Sequence, residues 1–335
     1  MNKNFLSTIL KIVFIIILNL LLTGCNGCTD PDKESKIIHE KKQVYINDYN
    51  ILLVPDLSNR INPDIHPKPV QDSLLINNIL DHTSDILQLQ NRTTNVLDVY
   101  KIDFINRGIL NDNVVKAKEL ELNFRRFKGN LLGASEYKRN ELKRDINIFK
   151  NNIKNIYSYA ISNPSGSDIW NYFNETVIPN VLPENGEEAD LTTADIKLIK
   201  KNKNVVVLFT DGYIENINQK KGYTLDQKLI NSIRSSYQQS KADNLEKFIL
   251  SHPEYHLKPT ENNLNSLNIL IFEIIDRSLD SNGVAKYQPT DFQIIKILWT
   301  KWLNDSGCRN IEIHQAFNKK EEAYEKLSSF LEKLK

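Results

Sequence analysis

The run VVVLF, residues 205 to 209, carries five apolar residues with no polar break, preceded by Lys203 and Asn204 and followed by Thr210-Asp211-Gly212. A strand with one face in water alternates apolar and polar residues; a strand that does not alternate is covered on both faces, as parallel strands are. LNILIFEII, 267 to 275, has the same character, and YNILLVPD places another buried strand near residue 50. Between these runs the apolar residues recur at helical spacing. Leu74, Leu75, Ile79, Leu80, Ile86 and Leu87 mark a helix over about 70 to 90, and Ile146, Phe149, Ile153 and Ile156 mark a long one over 135 to 162. Two more are expected at 290–304 and 319–334. Further strands are expected at 95–104, at 118–127, where KELELNFRRF alternates strictly, and at 310–317. This order predicts an α/β fold, a doubly wound, mostly parallel six-stranded sheet with helices on both faces.

At 335 residues the chain has room for two average domains or for one domain with insertions, and its 40% apolar and 25% charged residues suffice for a real core. Lys plus Arg number 43 against 42 Asp plus Glu, so no net field holds a polyanion and no nucleic-acid partner is expected. The segment 213–266 is longer than a strand-to-helix connection needs and reads as an insertion with helices near 225–240 and 242–251.

The N-terminus points to export. Lys3 and Lys11 precede IVFIIILNLLL, which is short for a membrane span and right for the apolar region of a signal peptide. Leu22-Thr23-Gly24-Cys25 follows and resembles the lipobox of bacterial lipoproteins, which implies cleavage of residues 1–24 and acylation of Cys25, palmitate included. Each buried methylene is worth about 0.8 kcal/mol, so such an anchor would hold the chain to a membrane of the bacterial envelope, periplasmic or surface-exposed. Residues 25–43 are polar and aperiodic, as a tether is, and the domain is expected over 44–335. Cys28 and Cys308 then share an oxidising compartment, either paired or both free. The six histidines show no metal-ligand spacing, and zinc is not suggested.

In a parallel sheet, the loops past the carboxyl ends of the strands converge on one crevice. Three such loops hold hydroxyls and acids: ILLVPDLSNRIN, with Asp56 and Ser58; SGSD, with Ser167; and Thr210-Asp211-Gly212. Two carboxylates with hydroxyls and water suit Mg²⁺ or Mn²⁺. The three motifs together resemble the von Willebrand factor A-type (vWA) domain and its metal-ion-dependent adhesion site. There, DxSxS follows the first strand, a threonine loop comes next, and a TDG-like motif follows the fourth strand. The resemblance covers about residues 45 to 335. It implies an antiparallel third strand at the sheet edge and a cation held by Asp56, Ser58, Ser167 and Asp211, with Thr210 and Gly212 shaping the last loop. It also implies a site that binds an acidic residue of a protein partner without catalysis.

Arg60 stands at the third place of DxSxS, and a guanidinium has donors only. Either Arg60 turns outward and a divalent cation binds, or it pairs with Asp56 and Asp211 and replaces the cation. Each motif also has a plain structural reading: an Asx turn at Asp56, an N-cap at Ser167 or Asp168, a tight turn at Asp211-Gly212, and packing for Tyr213, Trp170 and Tyr172. Pro55 gives up a ladder donor and should end or bulge its strand. Two other functions remain open: a metal-free scaffold of the same fold, and a metal-dependent hydrolase. The latter would need a base or a second metal, yet no histidine lies in the three loops, His66 is the nearest, and SNPSGSD lacks the GxSxG elbow.

Overall fold

In the computed structural model, residues 41–92, 95–105, 114–189, 192–215 and 221–334 are described, and Lys42–Lys335 form one unit. Cys25, Cys28 and the expected signal peptide lie outside the described residues. The sheet has the order β3-β2-β1-β5-β6-β7, with a two-residue β4 laid on β5. Its strands are β1 (Lys42–Pro55), β2 (Val99–Ile102), β3 (Glu121–Asn123), β4 (Glu187–Glu188), β5 (Ile196–Phe209), β6 (Leu267–Ile274) and β7 (Asn310–Gln315). All neighbours on the main path are parallel except β2 and β3, so the one antiparallel strand of that path sits at its edge. The expected six strands are this path, and β4 is a seventh, also antiparallel.

Alternate residues of each central strand feed two separate cores, because a strand turns successive side chains to opposite faces. Ile51, Leu53, Val205, Val207, Phe209, Leu270 and Phe272 pack on one face against α1 (Asp72–Asp81), α4 (Leu142–Ser162) and α9 (Glu321–Lys333). Leu52, Val54, Val206, Leu208, Ile269 and Ile271 pack on the other against α6 (Gln227–Ser240), α7 (Leu245–Leu250) and α8 (Asp291–Asp305). The chain runs outward from β1 to β3 on one side and from β5 to β7 on the other. The adjacent pair β1 and β5 is therefore the topological switch point, where such sheets open a crevice beyond their carboxyl ends.

Several local expectations are corrected. The expected helix over 70–90 breaks at His82 into α1 and the short α2 (Thr83–Ile86), and the one over 135–162 begins earlier, as α3 (Leu131–Asn140), and breaks at Glu141. The alternating stretch 118–127 yields only a three-residue β3 between 3-10 turns. The Asn123 side chain accepts from Arg125 N at 2.9 Å and turns the chain there, while Leu120, Leu122 and Phe124 are still buried. Conversely, β1 and β5 are each 14 residues long. Only Asn50–Leu53 of β1 meets β2 and only Asn204–Phe209 of β5 meets β6, so residues 42–49 and 196–203 continue as a parallel ribbon of two strands, with the two residues of β4 laid on β5 at Ile199 and Lys200. Eight residues at the usual rise extend it about 26 Å.

Candidate functional site: a charge-filled crevice at the switch point

β1 ends at Pro55, as its missing donor requires, and Asp56 N closes onto Phe209 O at 2.9 Å. The Asp56 carboxylate is therefore fixed at the tip of the central strand pair. Ser58 N donates to its Oδ1 at 3.0 Å, and Ser167 Oγ reaches the same oxygen from the SGSD loop at 2.7 Å. Thr210 Oγ1 donates to Oδ2 at 3.1 Å. Three loops far apart in sequence thus meet on one carboxylate.

The N-cap role falls to Asp168, which accepts from Asn171 N at 3.0 Å ahead of α5 (Ile169–Asn171), leaving the Ser167 hydroxyl for Asp56. Gly212 makes the tight turn: its φ is +90°, and a Cβ there would lie 2.7 Å from Ile274 Cδ1. Asp211 is thereby turned into the same crevice, which has a volume of about 390 Å³. Asp56, Ser58, Ser167 and Asp211 all line it. Asp211 Oδ2 accepts from Arg277 at 2.8 Å, and the Arg277 guanidinium lies over the Tyr213 ring, 3.7 Å from its centroid. Burial and the nearby Asp56 raise the Asp211 carboxyl above its ordinary value, against the pull of Arg60 and Arg277.

Arg60 does not turn outward. It is 4% exposed, its Nη2 donates to Asp72 and to Phe209 O, and its Nε lies 3.3 Å from Asp56 Oδ2 without hydrogen-bond alignment. No ion pair joins it to Asp211. Asp72, at the start of α1, also receives Lys68 Nζ, and Lys68 in turn lies 3.6 Å from Glu273 Oε2. Burial raises the Asp72 carboxyl, but the two cations outweigh it and hold the group below the ordinary carboxylate range.

This donor set does not fit Mg²⁺ or Mn²⁺. Both oxygens of Asp56 already accept hydrogen bonds, the Ser167 and Thr210 hydroxyls point at it as donors, and a buried guanidinium stands beside it. A cation would meet that guanidinium at close range, where like unit charges about 4 Å apart repel by ~4 kcal/mol at an effective dielectric of ~20. Among the described residues no group of three or more His, Cys, Asp or Glu could hold a metal ion.

Reading loops from the sequence identified Asp56, Ser58, Arg60, Ser167, Thr210 and Asp211 but missed Lys68, Asp72, Glu273 and Arg277. Glu273 did carry a signal, being the one charged residue inside LNILIFEII. Tyr213, read as packing, is buried yet lines the crevice, and its hydroxyl donates to Asp291 at 2.9 Å. His66 lines the crevice too, and Cys308 is free and buried, its thiol pushed up to about 12 by burial.

No protein-family model matches this chain, and no curated protein matches it. Among the described residues no helix is long and apolar enough to cross a membrane.

Proposed function

We propose that this chain is a lipid-anchored envelope protein whose vWA-like domain binds a protein partner at the switch-point crevice, with Arg60 standing where related sites hold a divalent cation. The observation that supports this reading is the meeting of Asp56, Ser167 and Thr210 around a buried guanidinium. A carboxylate so saturated is a poor general base, because its lone pairs are occupied, and no histidine is bonded to it. Recognition suits such a site better than hydrolysis.

Calorimetric titration of the full chain with Mg²⁺, Mn²⁺ and Ca²⁺ tests the stand-in role. No heat of binding is expected from the parent. Arg60→Ser, which writes Asp-x-Ser-x-Ser into the first loop, should gain a divalent signal that Asp56→Ala then removes. A parent signal dependent on Asp56 and Asp211 would return the cation to the site. Hydrolysis of simple esters that is lost with either aspartate would favour an enzyme instead. The anchor is tested separately: Cys25→Ala should abolish palmitate labelling and release the chain from the membrane fraction.

A further inference from the structure

Beneath the crevice the buried charges form a row of alternating sign: Glu273, Lys68, Asp72, Arg60, Asp56. Lys68 joins Glu273 at 3.6 Å to Asp72, Arg60 joins Asp72 to Asp56 at 3.3 Å, and Asp56 carries Ser167 and Thr210. Three acids in the row face two bases. Glu273, at the far end, is fully buried, and its backbone has φ +76°, in the left-handed region that only glycine enters freely. Its Oε1 accepts from Phe317 N at 3.0 Å, while its Oε2 has no hydrogen-bond partner. A strained backbone and an unpartnered buried acceptor on one residue are the kind of expense that collects at functional positions.

The titratable and charged groups around Glu273 come from each neighbouring element. Lys68 and Asp72 approach from α1 and the loop before it, Arg60 from the turn after β1, and Tyr157, its hydroxyl also without a partner, from α4. On the β7 side stands His314, 3.4 Å from its own partner Glu312. Burial, reinforced by Asp72 and opposed by Lys68, pushes the Glu273 carboxyl up to about 7.

We propose that Glu273 is the proton-responsive end of this row and governs how fully Arg60 neutralises Asp56 at the crevice. The inference rests on the reading of Arg60 as the occupant of the cation's place. When Glu273 is protonated, Lys68 belongs wholly to Asp72, and the guanidinium is left to Asp56. When the proton is lost to solvent, Lys68 is drawn toward Glu273, Asp72 draws Arg60 in its stead, and Asp56 faces the crevice less neutralised. The crevice is then more acidic above neutral pH than below it, by more than the one charge change alone would make it.

The test is the ¹⁵N Nε–H resonance of Arg60 in the full arginine-labelled chain between pH 5.5 and 8.5, assigned by its loss in Arg60→Lys. A single transition with its midpoint near 7 is expected. It should disappear in Glu273→Gln and in Lys68→Met, the second because the link is cut while the acid remains. A flat Arg60 signal in the parent, or a transition unchanged by Glu273→Gln, overturns the proposal. Should Glu273→Gln fail to fold, the parent's ¹³C-labelled glutamate carboxyls decide: one must titrate in step with Arg60, and none doing so is equally fatal. Divalent heat from the parent would defeat the stand-in reading and leave this transition in place, whereas a flat resonance would defeat the relay and leave the calorimetry untouched.

Discussion

The two ends of the sheet each carry a cluster of buried charge, and the clusters differ in how completely they are satisfied. At the amino end, Arg92 spends every nitrogen: Nε on Leu89 O at 3.2 Å, Nη1 on Asn47 O at 2.9 Å and Asp98 at 2.6 Å, and Nη2 on Ile86 O at 2.7 Å and Asp98 at 3.0 Å. Lys200 lies 2.8 Å from Asp48, so two acids balance two bases. At the carboxyl end Asp56, Asp72, Asp211 and Glu273 outnumber Arg60, Lys68 and Arg277. There Arg60 Nε and Nη1 and Glu273 Oε2 lack hydrogen-bond partners. The first cluster ties the segment before β2 to β1. The second leaves donors and a carboxylate oxygen unsatisfied beside a crevice, which costs stability.

The largest effect is expected where satisfaction is complete. Arg92→Leu strips the bidentate partner from fully buried Asp98 and frees three backbone carbonyls, so it should cost about 3–5 kcal/mol in urea unfolding. Arg60→Ser should cost less, about 2–3 kcal/mol, because Asp72 keeps Lys68 and Asp56 keeps Ser58 N, Ser167 and Thr210. Equal losses would erase the distinction between the two ends.

Which end was legible in the sequence follows from the same contrast. The strand ends were marked by unbroken apolar runs, and a short motif beyond two of them pointed to Asp56 and Asp211, while Ser167 was marked by SGSD between two helices. The amino-end ribbon was not, because residues such as Lys42, Lys197 and Lys201 lie on half-exposed or exposed strand positions with no apolar run to mark them, and the contacts that tie the two strands, the backbone pairing and the Lys200–Asp48 ion pair, join residues about 150 positions apart. Asp72 and Lys68 were invisible for another reason: they sit in an ordinary loop and helix start, and only the third dimension brings them under Arg60. The strand expected over 118–127 failed because an i, i+2 burial pattern persists through 3-10 turns that make no ladder.

A smaller effect, and one of opposite sign, belongs to Glu273. Its carboxyl is raised from an ordinary 4.5 to about 7, so the folded chain binds this proton more tightly than the unfolded chain does. Its contribution is whole below about pH 4.5 and drains away as the pH climbs to about 7, with stability falling across that window. Glu273→Gln, which cannot ionise, should therefore be more stable than the parent above pH 7 and no better below pH 4.5. Unfolding midpoints in urea at pH 4.5 and 8 measure this. A gain that is the same at both would mean that the relief comes from packing and not from charge.

The smallest effect on stability is the most informative about the crevice. Arg277 is 43% exposed where it meets Asp211, and pairs so open to water contribute at most about 1 kcal/mol, so Arg277→Ala should leave the unfolding midpoint nearly where it was. Its electrostatic effect should be plain all the same. Asp211 is already raised by burial and by Asp56, with Arg60 and Arg277 pulling the other way, and removing one of those two cations should move the Asp211 titration in ¹³C spectra further upward. The same change uncovers the Tyr213 ring. At the amino end, by contrast, Asp98 could not lose its cation without the fold registering the loss, since nothing there reaches solvent. A residue whose removal alters the chemistry of a neighbouring acid while sparing the fold is one that the fold does not need, and in this Arg277 would differ from Arg60, whose buried guanidinium the fold also uses.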